Sequence, residues 1–219
     1  KPVVGVPALR GLSRTWLLEG IYGPEVEPET PVREASEASG PFLSAAGAGR
    51  PNADGERALK LALNIVSDTK PRDERLYADT LVQFGDWYLI SGSTQRAQAN
   101  YLEAAKVLSA AGAGAERLLE NPRLLVYRAP AASITRFKPD DPTQHTLHDI
   151  EFALDIGPDG KVIDAKVVSS TAPEATTRAA LIAARKARYG PRVSGTEVVA
   201  TTSVPLREKV WVKAAQAKN

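Results

Sequence analysis

The strict alternation from Asp149 to Ser169 constrains this chain more than any other feature. Asp-Ile-Glu-Phe-Ala-Leu-Asp-Ile, residues 149–156, puts Ile150, Phe152, Leu154 and Ile156 on one face, the pattern of a half-buried strand. Gly157-Pro158-Asp159-Gly160 follows, and Asp-Gly between two apolar alternations predicts a hairpin, because the tight turn needs positive φ. The return strand, Lys161 to Ser169, is predicted to place Ile163, Ala165 and Val167 inward and Asp164 and Lys166 outward. A lone hairpin is marginal in water, so it needs a covering element. The next residues supply a helix, with Ser170 or Thr171 as N-cap and Pro173 and Glu174 in the first turn. Its buried stripe is Ala180, Leu181, Ala184 and Ala187, and Arg185, Lys186 and Arg188 in the last turn complement the helix dipole. A final strand is expected from Glu197 to Val212, interrupted by Pro205.

Upstream the period changes to that of helices. Ala8 to Tyr22 carries Leu9, Leu12, Trp16 and Ile21 at helical spacing, then an acidic stretch with Pro24, Pro28 and Pro31 reads as a loop. Residues 44–56 are a turn-rich break. Arg57 to Val66 predicts a helix with Ala58, Leu61, Ala62 and Ile65 on one face. Two more helices are expected from Glu74 to Ser91 and from Thr94 to Leu108, close enough to form a helical hairpin. Residues 117–127 are expected to add a short helix. Ala129 to Gln144 reads as linker, with a short strand at Ile134 to Phe137. The fold class is therefore α+β, helices first and a small sheet domain after.

Two resemblances sharpen this division. Leu81 to Leu108 resembles a tetratricopeptide repeat at Leu81, Gly85, Tyr88, Gly92, Ala97, Tyr101 and Ala104, with a weaker echo from Pro41 to Val66. Small residues let the two helices approach and the tyrosines fill the gap. Solenoids need about three repeats, so these helices are expected to lean on neighbouring structure. Ile150 to Val212 resembles the C-terminal domain of TonB, carried by the Asp159-Gly160 turn, Val167 with Ser169-Ser170, Arg178-Ala179-Ala180-Leu181, Arg188-Tyr189 before Pro191, and the valine-rich last strand. Ala187 departs from the tryptophan the family often has there, and His148-Asp149 replaces small residues. The expected division is a helical region over 1–128, a linker over 129–148, the TonB-like domain over 149–213 and a tail over 214–219.

The resemblance implies a non-catalytic, periplasmic binding or scaffold protein that acts through protein–protein contacts, with a protein or extended peptide as partner: an outer-membrane transporter or another envelope component. A TonB-type energy transducer with its anchor elsewhere is the second reading, and a small envelope hydrolase the third. Strand addition is expected along Glu197, Val198, Val199, Ala200, Thr201, Thr202, Ser203 and Val204, an edge of β-branched residues uncharged from Val198 onward. The runner-up surface is the basic cluster Arg185, Lys186, Arg188 and Arg192, which could take an anion.

Composition narrows the chemistry. Hydrophobic residues at 43% and charged residues at 25% suit a globular chain rather than a disordered one. The net charge of +2 hides an acidic Leu18–Pro41 stretch and a basic excess from Lys161 onward, which reads mainly as solvated surface, with nucleic acid not expected as partner. No cysteine is present, which removes disulfides, thiolate metal sites and a thiol nucleophile. His145 and His148, the only histidines, stand at i and i+3 entering a strand, so they face opposite sides and no metal is expected. No Gly-x-Ser-x-Gly elbow, phosphate loop or dinucleotide fingerprint occurs, and no cofactor is expected. No run reaches membrane-spanning length, and the start at Lys1 without methionine leads to the expectation of a mature or excised fragment.

Overall fold

The computed structural model describes residues 2–22, 53–112 and 118–214. Four helices come first: α1 (Val6–Tyr22), α2 (Ala53–Asp68), α3 (Glu74–Ile90) and α4 (Thr94–Ala111). The acidic proline-bearing loop, most of the turn-rich break and the upstream part of the Pro41–Val66 echo lie outside the described residues. α2 begins at Ala53, inside the stretch read as a break, with Asp54 and Glu56 in its first turn. Asp73 caps α3 by accepting from the Leu76 N–H at 3.0 Å.

α3 and α4 pack as an antiparallel hairpin. A Cβ on Gly85 would collide with the Tyr101 ring, so glycine is what lets α4 approach at this level. Trp87 presses on Gly55 of α2 in the same way. Ala78, Leu81, Val82, Leu89, Ala97, Tyr101, Ala104, Val107 and Leu108 form the buried helical core. That core is completed from downstream by Leu119 and Val193, with Leu125 and Val198 packed at its edge.

The C-terminal half holds β1 (Arg123–Val126), β2 (His145–Ile156), β3 (Val162–Ser170), α5 (Glu174–Arg185), β4 (Arg188–Gly190), β5 (Arg192–Ser194), β6 (Glu197–Val199) and β7 (Thr201–Lys213). The main sheet is antiparallel in the order β3-β2-β7, and α5 packs on one face. Its core is Ile150, Phe152, Leu154 and Ile156 of β2, Ala165 of β3, Ala180 and Ala184 of α5, Ala187 just beyond it, Tyr189, and Leu206 and Val210 of β7. Alanines on α5 keep the helix close to the sheet, as the buried stripe predicted, although Leu181 is half-buried.

Several expectations need correcting. Residues 123–126 form a strand paired with β4, not a helix. β2 starts at His145, four residues before the alternation becomes apolar. Ile163 and Val167 were expected inward, yet Ile163 is 68% exposed and Val167 38%. The register of β3 against β2 skips Ile163 and Val168, each in a bulge, which accounts for Ile163; Val167 keeps its pairing to Phe152 and is exposed on the edge strand of the sheet. α5 starts after Pro173, which occupies the N-cap position, while Ser170 stays in β3 and bonds Thr177 at 2.7 Å. The last strand is divided at Ala200, and Pro205 sits inside β7 without breaking its pairing to β2.

Candidate functional site

The outer side of β7 is the candidate site, because a sheet edge carries unpaired backbone donors and acceptors. β7 pairs with β2 without a register shift from Lys213↔His145 to Val204↔Leu154, so its backbone groups alternate regularly between β2 and the outside. Two outward bonds establish the phase. The Ile134 N–H donates to the Lys209 carbonyl at 2.9 Å, and the Trp211 N–H donates to the Ala132 carbonyl at 2.8 Å. Lys209 and Trp211 therefore face out, and so do Arg207 and Pro205. Proline at 205 removes a donor only on the edge, which is why the ladder to β2 survives it.

The segment that makes these bonds is not a free linker. Residues 129–137 lie along β7 as a strap, with Ser133 bridged to Val210. Glu208 anchors it: its carboxylate is buried, accepts from Ser133 Oγ at 2.7 Å and from the Tyr127 hydroxyl at 2.6 Å, and takes the Lys209 N–H at 3.1 Å. Burial, then the Glu208 carboxylate, pushes the Tyr127 hydroxyl far above its ordinary pKa. Glu208 was missed by sequence reasoning. The signal was available, since Glu208 stands between Leu206 and Val210 at inward positions of one alternation. The strand expected at Ile134 to Phe137 does not form: a single bridge at Ser133 takes its place, and the residues on either side of it are in turns.

The structure separates the eight residues singled out for strand addition. Glu197, Val198 and Val199 already have a partner, pairing with Ser194, Val193 and Arg192 of β5, and Val198 packs on the helical core. Ala200 is the break. Thr201 and Val204 pair with Ile156 and Leu154, and between them Ser203 takes φ 56° with its N–H on Asp155 Oδ1 at 2.9 Å. No single alternation therefore runs through Val198–Val204, since it is interrupted at Ala200 and Ser203. Among the described residues, no strand covers the outside of residues 201–207.

The basic cluster spans three successive elements. Arg185 ends α5, Lys186 is its C-cap, Arg188 lies in β4 and Arg192 in β5. Arg185 lies in the field of Asp164 and Arg188 in that of Asp159, so part of the cationic field is answered at once. Arg192 lines a separate cleft with Ser109 and Glu120. His145 and His148 sit opposite Lys213 and Val210 on β2, and among the described residues no group of three metal-ligating side chains gathers. A cavity of about 320 Å³ between α1, α3 and residues 118–125 is lined by Arg10, Asp79, Asp86, Trp87 and Arg123. Its charges answer each other: Arg123 holds Asp86 through two bonds of 2.8 and 3.2 Å, and Tyr101 donates to Asp86 at 2.7 Å.

Residues 149–207, from β2 through α5 to the middle of β7, match the family model for the Gram-negative bacterial TonB protein C-terminal. These residues form a TonB C-terminal domain. No curated protein matches the chain. The match ends at Arg207, so the strap and the anchoring residue Glu208 lie outside the matched TonB segment. No helix among the described residues is long and apolar enough to cross a membrane.

Proposed function

We propose that this chain is a non-catalytic binding protein of the Gram-negative periplasm, whose TonB domain captures an extended peptide of an envelope protein as an added strand on β7. One observation carries the reading: the outer edge of β7 already takes two antiparallel backbone bonds and a bridge at Ser133 from the chain's own Ala132–Ile134, at Lys209 and Trp211. An incoming peptide would extend that line over Thr201–Arg207, taking the outward N–H and carbonyl of Arg207 and the carbonyl of Pro205. Backbone bonds would supply affinity and alternate side chains selectivity. This keeps Thr201–Val204 from the expected edge and adds Pro205 to Arg207, while Glu197–Val199 stay with β5. The family match favours a short segment of an outer-membrane transporter as the partner class. The helical region, tetratricopeptide-like in pattern, would serve as the platform on which the TonB domain is mounted.

The test is calorimetric titration of the chain with peptides copied from the extended, periplasm-facing segments of outer-membrane transporters. Arg207→Pro removes one outward donor and leaves the bonds to β2 in place, so binding should fall below detection. Arg207→Ala loses only the exposed pair with Glu151, at 3.1 Å, and should bind within about twofold of the parent. Equal binding by the proline variant would move the site off β7.

A further inference from the structure

The opposite edge of the sheet carries a different pattern. β3 pairs with β2 on one side, and among the described residues no strand pairs along its other side. The phase of its backbone follows from β2. Ile150, Phe152 and Leu154 lie opposite Glu208, Leu206 and Val204, the β7 residues that alternate with the outward Lys209 and Arg207, so their backbone groups serve β7. Glu151, Ala153 and Asp155 therefore serve β3, through Ser169, Lys166 and Asp164. Ala165 and Val167 are left facing out. The Ala165 N–H confirms the phase: with no strand to receive it, it donates to Asp164 Oδ1 at 2.8 Å.

We infer that β3 is a self-pairing edge, joining a second copy of this chain in antiparallel register about a two-fold axis at Ala165. That register sets two outward residues, Ala165 and Ala165 of the second copy, face to face, exchanging a pair of N–H···O=C bonds. It then places Asp164 opposite Lys166 of the other copy, and Lys166 opposite Asp164, in the non-hydrogen-bonded positions where side chains lie closest. Within one copy Asp164 and Lys166 already meet at 3.4 Å, both exposed enough to exchange partners. Flanking them, Ile163 faces Val167 and Val162 faces Val168. The two bulges leave Ile163 68% and Val168 61% exposed, so each end of the short ladder meets apolar surface left uncovered by the described residues. The sequence Val-Ile-Asp-Ala-Lys-Val-Val is thus complementary to itself in reverse: apolar, acid, small, base, apolar. An isologous contact of this kind closes at two copies and leaves no further edge on that side.

Sedimentation velocity of the full chain over a concentration series tests this independently of peptide capture, which uses the other edge. The parent should show a reversible monomer–dimer equilibrium. Lys166→Asp turns two attractive cross-strand pairs into two repulsive ones and should weaken dimerisation about tenfold or more. The double variant Asp164→Lys/Lys166→Asp exchanges the signs and should restore it. An equimolar mixture of Asp164→Lys with Lys166→Asp should form the mixed dimer while each alone stays monomeric. Far-UV circular dichroism of each variant confirms that the fold is kept, as expected for exposed positions. A parent that is monomeric at every concentration would mean that the bulges and the capped Ala165 N–H only protect the edge, and the inference would fail. So would a dimer indifferent to Lys166→Asp.

Discussion

The helical layer and the TonB domain are stabilised by different kinds of contact, and the difference makes one dependent on the other. The sheet core closes on itself: every residue in it, from Tyr127 to Val212, belongs to the C-terminal part, and its side chains are aliphatic or alanine apart from Phe152 and two tyrosines. The helical core borrows Leu119, Leu125, Val193 and Val198 from outside its helices. It also borrows a cation, since Arg123 at the start of β1 pairs with Asp86 of α3, which holds the Tyr101 hydroxyl in turn. Burial of apolar surface tolerates a missing neighbour better than a charge network does, because a stranded partner loses its bonds without regaining water.

The largest expected effect tests that asymmetry directly. A fragment of residues 118–214 should unfold cooperatively, and a fragment of residues 1–112, which leaves Leu119, Arg123, Leu125, Val193 and Val198 behind, should not, in thermal melts followed by circular dichroism. Cooperative melting of both, at the temperature of the whole chain, would erase the comparison. The second test strikes the seam between the two parts. Gly160 takes φ 70°, and a Cβ there would run into the Tyr189 carbonyl oxygen and come within 2.7 Å of Leu89 Cδ2 on α3. Gly160→Ala should cost about 3 kcal/mol or more, lowering Tm by roughly 10 °C. If only the sheet is loosened, hydrogen exchange will show α3 and α4 unaffected, and the seam will prove weaker than its geometry implies.

The third test isolates the borrowed cation. Asp86→Asn keeps the shape but leaves Arg123 without its counter-charge, and should cost about 2 kcal/mol in denaturant unfolding. Double substitution with Arg123→Met should recover part of that loss, because the burden is the unpaired charge. The fourth is absent at neutral pH. Burial, then Asp86, raises the Tyr101 pKa well above 10.0, and burial pushes Tyr189 up to about 12. A raised folded pKa contributes stability that is complete below the unfolded value and lost as pH rises above it. Both parts should therefore weaken above pH 10, and Tyr101→Phe should blunt the alkaline limb of the helical part alone.

How much of this was legible follows from what each signal encodes. Alternation and helical spacing report which face of an element is buried, so the hairpin, α3, α4 and the alanine stripe of α5 could be read directly. A bulge is a defect in pairing, not in composition, so Ile163 was assigned inward when the skip around it turns it out. The break at Ala200 lies in a run of Val, Ala and Thr without glycine or proline, and nothing local marks it. The strap was invisible for a different reason. Its partners Lys209 and Trp211 lie far along the chain, and only the fold brings Ser133 and Tyr127 to Glu208. The edge chosen from sequence was accordingly the right kind of surface at a partly occupied address.

The central position of β2 sets an order of events during synthesis. β3 follows β2 within a few residues, so that half of the sheet can zip as soon as the hairpin is made. The other half needs β7, which is synthesised long after β2, and Thr146 waits for Val212 while the whole of α5 and three small strands are translated. Through that interval β2 shows a bare edge of isoleucine, phenylalanine and leucine to the cell. Pairing so distant in sequence is slow to find, and slow strands are where chains join the wrong neighbour. A stall or a nonsense codon between Thr201 and Lys213 would therefore release a finished helical layer carrying an open hydrophobic strand, a product for proteases rather than a shorter working protein.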